Sequence, residues 1–194
     1  AYLKISEGCK NHCHYCAIPS IRGRFTSRDM DSLISEAKRL KEAGVKELIV
    51  TAQDTTSYGE DLGKNNIIEL LKRLSELNFK WIRLLYAYPS KVTNDLLEFM
   101  DKTPNICKYL DMPIQHTSNI MLHKMNRHYK IDKVKAVMDK IRSFDNKWAI
   151  RTSLIVGFPK ETKAQFESMV KFITDRPFNH LGVFMFSPEE GTPA

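Results

Sequence analysis

The chain has 194 residues, 42% hydrophobic and 27% charged, the proportions of a globular domain large enough to bury a substantial core. Its 30 Lys and Arg exceed its 23 Asp and Glu by seven, and the basic residues are spread along the chain, so the charge suits an acidic protein or RNA partner without requiring one, and direct nucleic-acid binding is not expected. No run reaches the roughly 18 apolar residues of a membrane span. Residues 1–5 also lack the apolar stretch and cleavage site of a signal peptide, so a cytoplasmic protein with no membrane partner is expected.

In chain order, short apolar runs alternate with amphipathic stretches about every 30 residues. A strand over 2–6 leads into a cysteine-rich loop, followed by a helix over 33–43 that Gly44 would stop. A strand over 47–52, a helix over 67–77, a strand over 81–86 and a helix over 95–101 come next, with Pro104 just beyond. Then follow a strand over 108–112, a helix over 132–144, a strand over 150–156, a helix over 164–174 with Pro177 after it, and a strand over 181–186. Six strands alternating with helices predict parallel βα units. A closed eight-stranded barrel takes about 250 residues. The expected fold is therefore α/β, a partial, open TIM-like barrel of about six units; a doubly wound sheet shares the local pattern. The whole of 1–194 is expected to be one domain, and its end at Gly191-Thr192-Pro193-Ala194 reads as that of an excised piece.

Three of the four cysteines fall in Cys9-Lys10-Asn11-His12-Cys13-His14-Tyr15-Cys16, directly after the first strand. Such clustering indicates metal rather than disulfides. One reading is an iron–sulfur cube held at three corners by Cys9, Cys13 and Cys16, with one iron left open to a substrate. The other is a zinc site completed by His12 or His14, which would make the chain a zinc-stabilised binding module without redox chemistry. Cys107 stands alone and reads as a partly buried thiol.

The CxxxCxxC spacing with Tyr15 before the third cysteine resembles the signature of radical S-adenosylmethionine enzymes. Within that family the chain resembles the methylthiotransferases over nearly its whole length: Ile5-Ser6-Glu7-Gly8-Cys9, Ile18-Pro19, Arg22-Gly23, Ser27-Arg28 and Ile155-Val156-Gly157-Phe158-Pro159 followed by Glu161-Thr162 all follow the group's pattern. Lys160 departs from it, standing where glycine is common. Ala52-Gln53-Asp54-Thr55-Thr56-Ser57-Tyr58-Gly59, Leu85-Tyr86-Ala87-Tyr88-Pro89, Pro113-Ile114-Gln115-His116 and Ser187-Pro188-Glu189-Glu190-Gly191-Thr192-Pro193 resemble the branch that modifies an aspartate of a small-subunit ribosomal protein rather than the branch that modifies a tRNA adenosine.

The resemblance implies a 4Fe-4S cluster whose open iron binds S-adenosylmethionine. It further implies an electron-driven cleavage of the sulfonium that yields a 5′-deoxyadenosyl radical, and methylthiolation of the aspartate β-carbon. It implies a low-potential electron donor such as a flavodoxin. A second 4Fe-4S cluster belongs to an N-terminal domain, and a C-terminal β-barrel (TRAM) module engages the substrate; both lie outside this chain. A very low reduction potential calls for shelter from water and few nearby positive charges.

Barrel chemistry gathers at the C-terminal ends of strands. That rule nominates Gln53 and Asp54 after the second strand and Gln115 and His116 after the fourth as cofactor contacts. A turn-forming Asp54 and a structural His116 are the competing readings. Arg151 could grip a carboxylate, or belong to the bottom face, since it opens the fifth strand. Ile155, Val156 and Phe186 are expected to wall the adenine, with Tyr15 shielding the cluster and Gly157 making a turn or a close backbone approach. Arg22, Arg24 and Arg28 could steer an acidic substrate, although solvated charge is the plainer reading. Met112, Met121, Met125 and Met138 read as core.

Overall fold

A computed structural model describes residues 1–64 and 66–194. The strands are β1 (Tyr2–Lys4), β2 (Ser6–Glu7), β3 (Thr26–Ser27), β4 (Glu47–Thr51), β5 (Trp81–Leu84), β6 (Tyr109–Asp111), β7 (Ala149–Val156) and β8 (His180–Met185). The helices are α1 (Ile18–Arg22), α2 (Met30–Glu42), α3 (Ile67–Ser75), α4 (Asn94–Lys102), α5 (Asn119–Lys124), α6 (Ile131–Arg142) and α7 (Lys163–Asp175).

The caps explain several boundaries. Asp29 accepts from Ser32 N at 2.8 Å to start α2, and Thr93 accepts from Leu96 N at 3.1 Å to start α4. Thr162 and Gln165 form a reciprocal capping box at the head of α7. Gly44, at φ 84°, takes the left-handed position that ends α2.

The strands β1, β4 and β5 pair in parallel, as do β6, β7 and β8. A parallel bridge between Ile82 and Ile106 joins the two sets, with Ile82 N–H donating to Asn105 O and Cys107 N–H to Ile82 O, each at 2.8 Å. The six parallel strands therefore follow one another in chain order, the partial, open barrel that the alternation predicted. The short antiparallel pair β2–β3 stands outside this order and was not anticipated.

Alternate residues divide the sheet into two faces. Leu48, Val50, Ile82, Leu84, Leu110, Ile150 and Leu154 are buried and face the helices. One core forms under α2 and α3, where Leu70, Leu71 and Leu74 are fully buried; the other forms under α4, α6 and α7. Met112 and Met138 fill the second core, as expected.

The opposite face is polar. Arg83 Nε donates to Glu47 Oε1 at 2.6 Å and its guanidinium sits 4.8 Å over the Tyr109 ring, while Arg151 Nη1 donates to Asp111 Oδ1 at 2.8 Å. A closed barrel fills this space with layers of branched apolar side chains. A partial barrel leaves it open, and charged residues are accommodated there.

Candidate functional site

The cysteine loop leaves the end of β2 through Gly8, at φ 74°, where a Cβ would collide with the carbonyl oxygens of Gly23 and Arg24. Only glycine admits so close a pass at that dihedral. The loop is then clamped from both halves of the barrel. On the β4 side, Asn11 Nδ2 donates to Asp54 Oδ2 at 2.9 Å and lies 3.4 Å from Cys9 Sγ. Asp54 is itself buried and also accepts from Thr56 Oγ1 at 2.6 Å and Ser57 Oγ at 2.7 Å. On the other side, the end of α5 holds the loop: His14 N–H donates to Met125 O at 3.1 Å, His14 Nδ1 lies 2.8 Å from Lys124 O, and Asn126 Nδ2 donates to His12 O at 2.8 Å.

The three cysteines are free thiols that line one cavity of about 180 Å³, together with Gln53, Gln115 and Arg127. Burial pushes the Cys9 and Cys16 thiols above the ordinary value, so metal uptake at neutral pH must displace protons. Among the described residues no three His, Cys, Asp or Glu converge closely enough for a single metal ion. A tetrahedral zinc with 2.3 Å bonds would draw its sulfurs to about 3.8 Å from one another. A cube held at three corners takes one cysteine on each of three irons, and the three thiols line this cavity with no histidine beside them among the described residues. The Gln53 amide oxygen is buried without a hydrogen-bond partner, and the same residue lines the cavity. An orphaned acceptor costs about 1–3 kcal/mol and is matched by a ligand N–H donor such as the amino group of a bound amino acid. The donor set thus fits a cluster with an amino-acid-bearing cofactor beside it.

A second cavity, of about 410 Å³, shares Tyr15, Tyr86, Pro113 and Gln115 with the first and is walled further by Ile155 and Phe186. Phe186 meets Phe158 edge-on at 5.2 Å, and both pack with Met121 and Met125 beneath Tyr15. Met121 and Met125 are thus buried, as expected, but in this small cluster beside the site. Two residues facing both cavities hold left-handed backbone, Tyr86 at φ 57° and Gln115 at φ 66°. Non-glycine residues pay strain there, and such strain gathers at ligand sites. Each is pinned: Gln115 N–H donates to Ser153 O and Ile155 N–H to Gln115 O, both at 2.8 Å, while Tyr86 O accepts from Thr55 N–H at 3.1 Å.

Of the nominated cofactor contacts, Tyr15, Gln53, Gln115, Ile155 and Phe186 stand at these cavities. Asp54 sits behind the wall and fastens the loop. Val156, one residue off the parity of Ile155, packs against the second core. Arg151 is held by Asp111 on the polar inner face and lines neither cavity. His116 is fully buried: its Nδ1 accepts from Ser118 N–H at 2.9 Å and its Nε2 lies 3.1 Å from Glu161 Oε1, an arrangement that defines the Nε2–H tautomer. It ties the loop after β6 to the loop after β7. Cys107 is partly buried, as expected.

Sequence reading missed Asn11, Tyr86 and Arg127. Arg127 stands against the expectation of few positive charges, with its Nη1 3.6 Å from Cys13 Sγ. No spacing signal marks it; it reaches the site only because α5 ends beside the cysteine loop.

Comparison with known proteins agrees with this geometry. The chain is 51% identical to the ribosomal protein uS12 methylthiotransferase RimO of Chloroherpeton thalassium and 48% identical to that of Elusimicrobium minutum, in each case over 100% of this chain and 45% and 46% of the relative. The RimO of Clostridioides difficile is 50% identical over 100% of this chain and 44% of its own length. The chain thus spans about half the length of the curated relatives it matches. Among solved structures, the radical S-adenosylmethionine methyltransferase TsrM from Kitasatospora setae, with cobalamin and a [4Fe-4S] cluster bound, superposes with a TM-score of 0.81 at 15% identity, over 100% of this chain and 38% of that one. HydG, a maturase of the [FeFe]-hydrogenase, gives 0.61 at 16% identity, over 99% of this chain and 44% of that one. These likenesses show a shared fold. The sequence profile of the radical SAM superfamily matches residues 3–173, across the cysteine loop and five of the six parallel strands, and the chain belongs to that superfamily.

Proposed function

We propose that residues 1–194 are the radical SAM core of a methylthiotransferase that modifies an aspartate of a small-subunit ribosomal protein in the cytoplasm. The observation that carries the reading is the three-cysteine loop opening on one cavity, in a chain 48–51% identical over its whole length to three uS12 methylthiotransferases. Cys9, Cys13 and Cys16 would hold the cluster, and Gln53 and Gln115 would meet the polar groups of S-adenosylmethionine, with Tyr15, Ile155 and Phe186 against its adenine. When bound, the cluster supplies an electron to the cofactor, and the cofactor supplies a hydrogen-abstracting radical. The chain's own part is to orient: Asn11 and Asp54 fix the loop to β4, the end of α5 fixes it to the opposite half, and the strained Tyr86 and Gln115 present their side chains at the cavity mouth. The second cluster and the substrate-engaging module implied by the resemblance belong to the enzyme outside these residues, and a flavodoxin-type donor completes the system.

The test is an anaerobic assay of the full-length enzyme with S-adenosylmethionine, a strong reductant and either ribosomal protein uS12 or tRNA. Methylthiolated aspartate is expected with the protein and no modified adenosine with the tRNA. The reverse outcome, or stoichiometric zinc in place of about four irons at the Cys9, Cys13 and Cys16 site, defeats the proposal.

A further inference from the structure

Arg127 carries a full charge into the interior: the residue is 8% exposed, and its hydrogen bonds go to neutral oxygens and one sulfur. Nη2 donates to Pro113 O at 2.6 Å and to Tyr129 Oη at 3.2 Å, where Nε also converges at 3.2 Å. Nη1 donates to Tyr15 Oη at 3.3 Å and to Cys13 Sγ at 3.6 Å. The rings of Tyr88 and Tyr129 lie 4.5 and 5.2 Å from the guanidinium carbon. None of its hydrogen-bond partners among the described residues is a carboxylate. A buried cation without a counterion is strongly unfavourable, and a guanidinium does not escape by losing its proton. The balancing negative charge has to come from the cavity that Arg127 lines beside Cys13.

We infer that Arg127 is the counterion of the cluster at Cys13 and a positioning residue for its electron, raising the reduction potential by stabilising the reduced form through the Cys13 sulfur. The inference rests on the cluster assignment made above. One-electron reduction adds negative charge to a centre already bound by three thiolates, so a fixed cation beside one sulfur favours the reduced form over the oxidised one. Hydrogen bonds to cluster sulfurs and local charge both move such potentials. Buried surroundings weaken solvent screening and enlarge the effect. In a site that otherwise drives the potential low, Arg127 limits how far it falls and keeps the centre within reach of a donor.

A purely structural bolt between Pro113 and Tyr129 would leave the potential unmoved, which makes potential the deciding readout. Full-length wild type, Arg127→Lys, Arg127→Gln and Arg127→Met are to be reconstituted anaerobically and assayed for iron and sulfide. Each is then titrated electrochemically by electron paramagnetic resonance, following the reduced-cluster signal that changes on adding S-adenosylmethionine. The two neutral variants are expected to shift the oxidised-to-reduced ratio at fixed potential about tenfold toward oxidised, a midpoint ~59 mV lower, while Arg127→Lys stays within about threefold of wild type. Unchanged midpoints in loaded neutral variants overturn the inference, as does a lysine variant that falls as far as the neutral ones. Failure of both neutral variants to take up iron would assign the arginine to cluster assembly and overturn it too. A wild type without about four irons at Cys9, Cys13 and Cys16 defeats the cluster assignment itself, and the inference with it.

Discussion

The two faces of the sheet follow different rules. Toward the helices, Leu48, Val50, Ile82 and Leu84 are almost wholly shielded and pack on the leucines of α3. Toward the interior, the same strands carry Glu47 and Arg83, an ion pair partly exposed at both ends, and their neighbours carry Asp111 and Arg151, a pair whose carboxylate is buried and whose guanidinium is partly exposed. A pair as exposed as Glu47 and Arg83 contributes little stability. Folding free energy is therefore concentrated on the outer face, and the inner face and strand ends are free to serve chemistry. The cysteine loop sits where these regimes meet, anchored to each half by buried polar contacts and lined on its open side by groups whose partners are incomplete.

That contrast breaks if a change at the strand ends unfolds the protein, or a change in the outer core silences chemistry without unfolding it. The largest expected effect is that of Cys13→Ser. Removing one thiolate should abolish cluster uptake and reduce 5′-deoxyadenosine release to background, while the thermal midpoint of the metal-free protein stays within about 2 °C of wild type. Undiminished cofactor cleavage in this variant would refute the assignment of the loop. Leu74→Ala, at a fully buried position of α3, should act oppositely. A cavity there costs about 3 kcal/mol and lowers the melting temperature by roughly 5–10 °C. Iron content and turnover measured well below that temperature should match wild type.

The outer face is also the part that the sequence made legible. Apolar periodicity placed a helix over 67–77 where the structure has Ile67–Ser75, and a strand over 47–52 where it has Glu47–Thr51. Burial enforces that periodicity residue by residue. Two-residue strands such as β2 and β3 have no period to detect, and their pairing spans 20 residues of chain. The six residues of α5 are similarly too few. In the site, the cysteines were legible because their spacing is local. Asp54 divides between two roles in any local reading; its contacts with Thr56 and Ser57 are local, whereas its tie to Asn11, 43 positions away, appears only in the fold. Arg127 became visible only when Tyr15, Tyr88 and Pro113 came together around it, since each comes from a different segment.

Asp54→Asn probes the seam between the two regimes and should give an intermediate effect. The carboxylate gathers Asn11, Thr56 and Ser57, with Lys91 Nζ 3.7 Å away. An amide keeps one acceptor oxygen and turns an N–H₂ toward hydrogen-bond donors. A loss of about 1–3 kcal/mol in urea unfolding is expected. Because the lost contacts include the tie to Asn11, the reconstituted cluster should also yield its iron to a chelator several-fold faster than wild type. A stability loss with unchanged iron release would show that Asp54 merely supports its own turn.

The smallest effect concerns His116, which joins two strand-end loops without touching the cavity. Burial lowers its pKa below the ordinary 6.5, and the hydrogen bond and charge of Glu161 only partly oppose that. In this case the unfolded chain takes up a proton more readily than the folded one. The contribution is therefore complete above pH 6.5, declines as the pH falls from there toward the lowered folded value, and levels off below it. Protonating Nδ1 would also remove the acceptor used by Ser118 N–H. Urea unfolding at pH 7 and pH 5.5 should show a larger loss of stability for wild type than for His116→Gln, whose amide does not titrate and retains both an acceptor and a donor. Equal losses in the two proteins would mean that His116 takes up its proton as readily in the folded protein as in the unfolded chain, and that the acid sensitivity of the strand ends resides in their carboxylates.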